Sequence, residues 1–185
     1  MVKYTEKTVL MDSATVSRSI SRIAYEIVER NKGTDNLVVI GIQTKGVSLA
    51  RKIIQKIQEI EGIKLPLGNL DITFYRDDLT RLNTHPVVKG NDIAFPIEDK
   101  RIILVDDVLY SGRTIRAAIE ELFDMGRPAK IELAVLIDRG NHELPIKADY
   151  IGRSVPTARN EYINVLINEN DNIEKVSICE KGVNI

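Results

Sequence analysis

The chain predicts an α/β fold with a central, mainly parallel sheet flanked by helices. Three observations carry that prediction. Units of strand, loop and then helix or strand follow one another three times along the chain. The runs Leu37 to Ile42, Ile102 to Val105 and Leu133 to Ile137 carry no polar side chain, as strands buried on both faces do not. Finally, 43% of the 185 residues are apolar, enough for one sizeable core.

From the N-terminus, Val16, Ile20, Ile23, Ala24, Ile27 and Val28 recur at helical spacing between residues 13 and 31. Asp12 or Ser13 stands ready to cap the start, and Gly33 lies beyond the end. Leu37 to Ile42 reads as a strand, Gln43-Thr44-Lys45-Gly46 as a tight loop, and Val47, Ala50, Ile53, Ile54 and Ile57 as the next helix. Asn69 to Tyr75 alternates Leu70, Ile72 and Phe74 on one face, the period of a strand. From Arg76 to about Lys100 no period is sustained, and Pro86, Gly90 and Pro96 interrupt the stretch, so a long flexible loop is expected there. Ile102 to Val105 is again a strand. Ile115, Ala118, Ile119, Leu122 and Phe123 form the apolar side of a helix that Gly126 and Pro128 end, and Ile131 to Ile137 is the strand after it. Beyond Asp138 short strands are expected near Ala148 to Gly152, Tyr162 to Ile167 and Ile173 to Cys179. No repeat or linker divides the chain, so a single domain over residues 1–185 is expected.

Lys and Arg number 26 against 27 Asp and Glu, a net charge of -1, which excludes a protein that is basic throughout and confines any nucleic-acid binding to a local patch. A lone cysteine, Cys179, excludes an internal disulfide and fits a reducing compartment as a small buried hydrophobe. No apolar run approaches the roughly 20 residues of a membrane-spanning helix. A cytoplasmic protein is expected.

The stretch Ile102-Ile103-Leu104-Val105-Asp106-Asp107-Val108-Leu109-Tyr110-Ser111-Gly112-Arg113-Thr114 holds the most chemistry. It sets two carboxylates at the carboxyl end of a buried strand and then a small, hydroxyl-rich loop opening onto a helix. Ligands of open parallel sheets bind at that edge. Backbone N–H groups at a helix start suit a phosphate, with Ser111 and Thr114 adding hydroxyls. Asp106 and Asp107 only accept hydrogen bonds when ionised, so they suit sugar hydroxyls or a hydrated magnesium ion. Together these groups describe a pocket for a ribose phosphate.

This stretch resembles the signature of the type I phosphoribosyltransferases, which bind phosphoribosyl pyrophosphate (PRPP). The segments Asp71 to Leu79, Leu133 to Gly140 and Glu143 to Gly152 extend the resemblance over nearly the whole chain, toward the bifunctional pyrimidine-operon attenuators that are also uracil phosphoribosyltransferases. The resemblance implies a type I phosphoribosyltransferase fold with a flexible active-site loop at about 76–100 and a small hood from about 150–185 plus N-terminal residues. It implies catalytic roles for Asp106, Asp107, Lys45 and Arg76. Asp106 and Asp107 would hold the ribose hydroxyls, and Val108, Leu109, Tyr110, Ser111, Gly112, Arg113 and Thr114 would wrap the 5′-phosphate. Thr44 and Lys45 would meet the pyrophosphate, at a position where relatives often carry Arg. Arg76 either meets the leaving pyrophosphate or pairs with Asp77 or Asp78. Arg139 would donate to a pyrimidine carbonyl, and Ile163, with Val155 and Pro156, would wall the base. Magnesium would arrive with PRPP, with no direct protein ligands, and uracil would be converted to UMP.

Such relatives also bind hairpins in the leader mRNA of their operon in response to uridine nucleotides, and they form dimers or larger homo-oligomers. On the first helix Arg18, Ser21, Arg22 and Tyr25 would face RNA, joined by His142, Lys147 and Arg153. Taken alone, the residues favour a plain solvated helix in which Arg22 pairs with Glu26 four residues on, and only the resemblance reverses that. Two departures bear on the RNA role: Asn141-His142 stands where many members have His-Arg, and Tyr25 where histidine is common. A phosphoribosyltransferase without a regulatory role and a nucleotide sensor with vestigial catalysis are the alternatives.

Overall fold

The computed structural model describes residues 4–72, 90–167 and 173–181, apart from the side chains at positions 174 and 181. Eleven elements run in the order β1 (Tyr4–Asp12), α1 (Ser13–Asn31), β2 (Leu37–Ile42), α2 (Lys45–Glu61), β3 (Leu67–Leu70), β4 (Arg101–Leu109), α3 (Arg113–Met125), β5 (Lys130–Asp138), β6 (Tyr150–Ser154), β7 (Glu161–Ile167) and β8 (Ile173–Lys181). Five of the strands form one sheet in the order β3-β2-β4-β5-β6, and every ladder in it is parallel. The others, β1-β8-β7, make a separate antiparallel sheet.

Both faces of the parallel sheet are covered, which explains why its strands read as unbroken apolar runs. Leu37, Val39, Ile103, Val105 and Leu136 face α1 and α2, where Ile23, Ile27, Ile53 and Ile57 are fully buried. Each such side chain contributes about 1.5–3 kcal/mol of burial. Val38, Ile40, Ile102, Leu104 and Val135 point the other way, against Ile115, Ala118 and Leu122 of α3. Met11, Ile163, Val165, Ile173 and Val176 of the small sheet join the first of these cores, so that sheet is seated on the same body. Helix α1 covers the expected span. The Asp12 carboxylate accepts from the Thr15 N–H at 2.8 Å, and Lys32 in the left-handed region ends the helix just before Gly33.

The structure differs from the sequence expectations at five places. The strand expected at Asn69 to Tyr75 is β3, Leu67–Leu70; Ile72 beyond it is buried but unpaired as strand, and residues 73–75 lie outside those described. Of the loop expected at about 76–100, residues 76–89 lie outside the described residues, Arg76, Asp77 and Asp78 among them. The remainder is packed: Asn69 and Asp92 exchange backbone hydrogen bonds at 2.9 Å, and Ile97 is buried beside Ile93 and Phe95. The third β-strand of the expected order, β4, runs through both aspartates to Leu109 because it pairs with β5 along that length. Phe123 is 58% exposed rather than on the buried side of α3, which Ala118 and Leu122 occupy. Finally, β6 completes the parallel sheet, so the small sheet begins at β7, and its β1 had no periodic signal because the strand is exposed nearly throughout.

Candidate functional site

A cleft of about 520 Å³ opens at the carboxyl ends of β2 and β4, walled by Gln43, Thr44, Lys45, Asp106, Asp107, Val108, Tyr110, Thr114, Arg139 and Ile163, with Ile42, Ile72 and Tyr162 completing it. Parallel strands deliver their following loops to one edge, so groups distant in sequence converge there. Helix α2 can start so near β4 only because residue 46 is glycine. A Cβ on Gly46 would stand 2.4 Å from the Val105 carbonyl oxygen and 3.2 Å from the Asp106 Cα. That approach brings the Lys45 Nζ to 3.6 Å from the Asp107 carboxylate.

Asp106 is only 7% exposed, and one of its oxygens accepts from the Asp107 N–H at 2.9 Å. Burial first, and the neighbouring Asp107 charge second, push its carboxyl well above the usual carboxylate range. Between the ordinary pKa and this raised one the folded protein holds a proton that the unfolded chain has released, so stability falls as pH rises through that window. Asp106→Asn keeps the acceptor oxygen and removes the charge. We expect it to unfold at a higher temperature than the parent at pH 7–8, with the difference closing below about pH 4, where the unfolded chain also takes up the proton. Thermal unfolding across pH measures this, and a gain that persists in acid would refute the assigned cause.

The loop after β4 holds Gly112 at φ +89°, a left-handed residue that starts α3 at Arg113. Of the residues expected to wrap a phosphate, Val108, Tyr110 and Thr114 line the cleft. Leu109 does not: it is 1% exposed in the α3-side core, and its carbonyl oxygen accepts from the Arg139 N–H. Arg113 turns toward Glu143, with Nε 2.9 Å from the carboxylate.

Arg139 lines the cleft with part of its guanidinium already engaged. It is 5% exposed; Nε donates to Thr157 Oγ1 at 2.8 Å, and one terminal nitrogen donates to the carbonyls of Ala158 and Glu161. Its guanidinium lies 4.1 Å from the Tyr110 ring centroid, so it braces an aromatic wall of the cleft against the segment that leads into β7. Lysine cannot reproduce this fork. Arg139→Lys is expected to cost about 2–3 kcal/mol, the penalty for buried carbonyls left without donors, and to raise the KM for the base more than it changes kcat. Denaturant melts and steady-state kinetics would check both.

The residues expected to meet RNA are in part engaged within the fold. Arg22 pairs with Glu26 at 2.8 Å and also donates to the Ile151 and Gly152 carbonyls, fastening α1 to the edge strand β6. Arg153 donates to the Leu10 carbonyl. Ser21 donates to the Ser17 carbonyl, and Arg18 to the Thr15 hydroxyl. His142 stands 2.9 Å from the Asp138 carboxylate. Tyr25 is 60% exposed and Lys147 is exposed. Arg22 and Arg153 thus each hold backbone carbonyls of neighbouring strands. Among the cleft-lining positions, sequence reasoning did not single out Tyr162, whose ring meets that of Tyr4 with centroids 5.3 Å apart and planes tilted by 36°. No local signal separates it from other strand tyrosines.

Asp106 and Asp107 offer hard oxygen donors, and among the described residues no group of three or more His, Cys, Asp or Glu could hold a metal ion. Nor is any described helix long and apolar enough to cross a membrane.

A strand bearing two acids, a short loop into a helix and a lysine-tipped second helix around one cleft define a class of phosphate-sugar transferases. The phosphoribosyl transferase domain family matches residues 10–168, and the chain belongs to it. Within that family it stands with the bifunctional PyrR proteins. It is 56% identical over 180 residues to Bifunctional protein PyrR of Acetivibrio thermocellus, covering 96% of this chain and 98% of that one. Identity to Bifunctional protein PyrR of Clostridioides difficile is 53%, over 95% and 99% of the two chains. Among solved structures, a hypoxanthine phosphoribosyltransferase from Trypanosoma cruzi in a ternary substrates complex matches the fold with a TM-score of 0.74 over 94% and 95% of the chains, at 18% identity.

Proposed function

We propose that the protein is a pyrimidine-operon regulator that binds leader mRNA hairpins in a uridine-nucleotide-dependent manner to promote transcription attenuation, and that it is also a uracil phosphoribosyltransferase acting in the cytoplasm as a single-domain subunit of a homo-oligomer. The observation that carries this reading is the cleft itself, with Lys45, Asp106, Asp107 and the 110–114 loop around one space, in a chain more than half identical to proteins named for two functions.

Uracil would displace pyrophosphate from the anomeric carbon of PRPP, giving UMP. The barrier is charge separation at that carbon, so catalysis rests on positioned electrostatics and not on a covalent nucleophile. Asp106 and Asp107 accept from the ribose hydroxyls, the N–H groups of the 110–114 loop hold the 5′-phosphate, and Lys45 faces the departing pyrophosphate. Arg76 is assigned to the same leaving group. Magnesium would arrive with PRPP and take its oxygen ligands from PRPP and water, with Asp106 and Asp107 facing it through that water. Held there, it would supply positive charge toward the departing diphosphate, beside the Lys45 ammonium. Ile163 and the braced Tyr110 wall the base.

A second reading, an enzyme without the regulatory role, has its own support: Arg22 and Arg153 are engaged with carbonyls, and His142 stands where relatives carry a permanent charge. Equilibrium binding of the operon-leader hairpin at fixed salt, with and without UMP, decides between them. Tight binding strengthened by UMP is expected. Weak, salt-sensitive binding that ignores UMP, alongside UMP synthesis, would leave the enzyme alone.

A further inference from the structure

The phosphate loop has a second layer behind it. The Ser111 carbonyl oxygen accepts two hydrogen bonds, from the Glu143 N–H at 3.0 Å and the Leu144 N–H at 3.1 Å. The Glu143 side chain returns across the same gap to Arg113 at 2.9 Å. A Cβ added at Gly112 would stand 3.3 Å from Leu144 and 3.4 Å from Ile146, so the two segments are in close packing. The start of the second segment is fixed as well: the Arg139 N–H donates to the Leu109 carbonyl, and the Asp138 carboxylate holds both the Gly140 N–H and His142.

We propose that Glu143, which lies outside the cleft, is a positioning residue for the 5′-phosphate loop, and that through it the segment from Arg139 to Lys147 senses whether that loop holds a phosphate. The inference rests on the reading of residues 110–114 as the phosphate site and names how that site is regulated. The physical link is one peptide plane. The Ser111 carbonyl and the Gly112 N–H belong to the same amide group, so a phosphate accepting from that N–H polarises the carbonyl and strengthens its bonds to Glu143 and Leu144. A phosphate dianion also favours the Arg113 cation beside it, and Arg113 is tied to Glu143. His142 and Lys147, two of the groups assigned to RNA, lie on the segment so held. Phosphate binding would then order part of the RNA face without any movement of the sheet.

Amide hydrogen exchange on the full chain tests this with UMP and with uridine, which lacks the phosphate. UMP is expected to slow exchange at Gly112 to Thr114 and, several-fold, at Glu143 and Leu144, whereas uridine leaves the latter two unchanged. Protection at 112–114 without any at 143 and 144 would overturn the inference and spare the site. No protection at 112–114 would overturn both. In parallel, Glu143→Ala removes a half-exposed ion pair and is expected to melt close to the parent. It should raise the KM for PRPP with little change in kcat, and Glu143→Asp should restore it in part. The ratio of hairpin affinities with and without UMP, expected to be at least about fivefold in the parent, should drop toward one in Glu143→Ala. A ratio kept at the parent value would refute the sensing role.

Discussion

Asp107→Asn is expected to reduce UMP formation by about 100- to 1000-fold or more, the loss that follows removal of one preorganised electrostatic group, while leaving the protein at least as stable as the parent. The two halves of that expectation come from the same geometry. Asparagine keeps the shape of the side chain and one acceptor oxygen, but it removes the negative charge that stands 3.6 Å from the Lys45 ammonium. The lysine then loses the partner that holds it over the cleft. A ribose hydroxyl meets a weaker acceptor, and a hydrated magnesium ion meets no charge at this position. Stability moves the other way because Asp107 is one of the causes that drive the buried Asp106 toward its protonated form. Removing a like charge beside a buried carboxyl relieves repulsion. Steady-state UMP synthesis together with thermal unfolding would test this. An active variant would strike Asp107 from the mechanism, and an inactive but unfolded one would mean that the residue acts through the fold.

Gly46→Ala has the second large effect, and here stability and activity should fall together. The added methyl would sit 2.4 Å from a backbone carbonyl of the central strand, and a backbone atom cannot rotate aside as a side chain can. Relief requires the first turn of α2 to back away from β4, at a cost of about 1–3 kcal/mol for overpacking. Lys45 is the first residue of that turn. A displacement near 1 Å of a positioning group can cost about 100-fold in rate, so kcat/KM should drop by at least that factor. The pairing of the two losses is diagnostic. A variant that melts earlier yet turns over normally would show that Lys45 reaches the cleft from more than one start of α2. Denaturant unfolding and PRPP kinetics on the same preparation would separate the cases.

Much of this molecule was legible before folding. Helix α1 and strand β2 fall where their periods place them, since a 19-residue amphipathic helix and a strand buried on both faces leave strong local signals. The acids at 106 and 107 and the loop to Thr114 were readable as one stretch, because strand, acids, loop and helix are contiguous, whereas Lys45 was joined to them only by the family resemblance. Elements decided by non-local pairing were harder. Strand β1 is exposed along most of its length and exists through its ladder with β8, whose paired residues stand 163 to 177 positions away by sequence, and β4 extends through two aspartates only because β5 lies beside it.

The sequence by itself determined the alternation of strands and helices, the apolar runs that become strands buried on both faces and which residue types stand at the end of β4, for these follow from periodicity and side-chain chemistry. Only the tertiary structure decided what those groups are free to do. It buried Asp106 against Asp107 and so raised its proton affinity; it set Arg139 over the Tyr110 ring with Nε and one terminal nitrogen engaged; and it joined Arg22 and Arg153 to strand carbonyls. A guanidinium carries the same charge wherever it stands, but its donors go to whatever acceptors the fold brings within 3 Å or so, and residues separated by many tens of positions are neighbours only once the chain has folded.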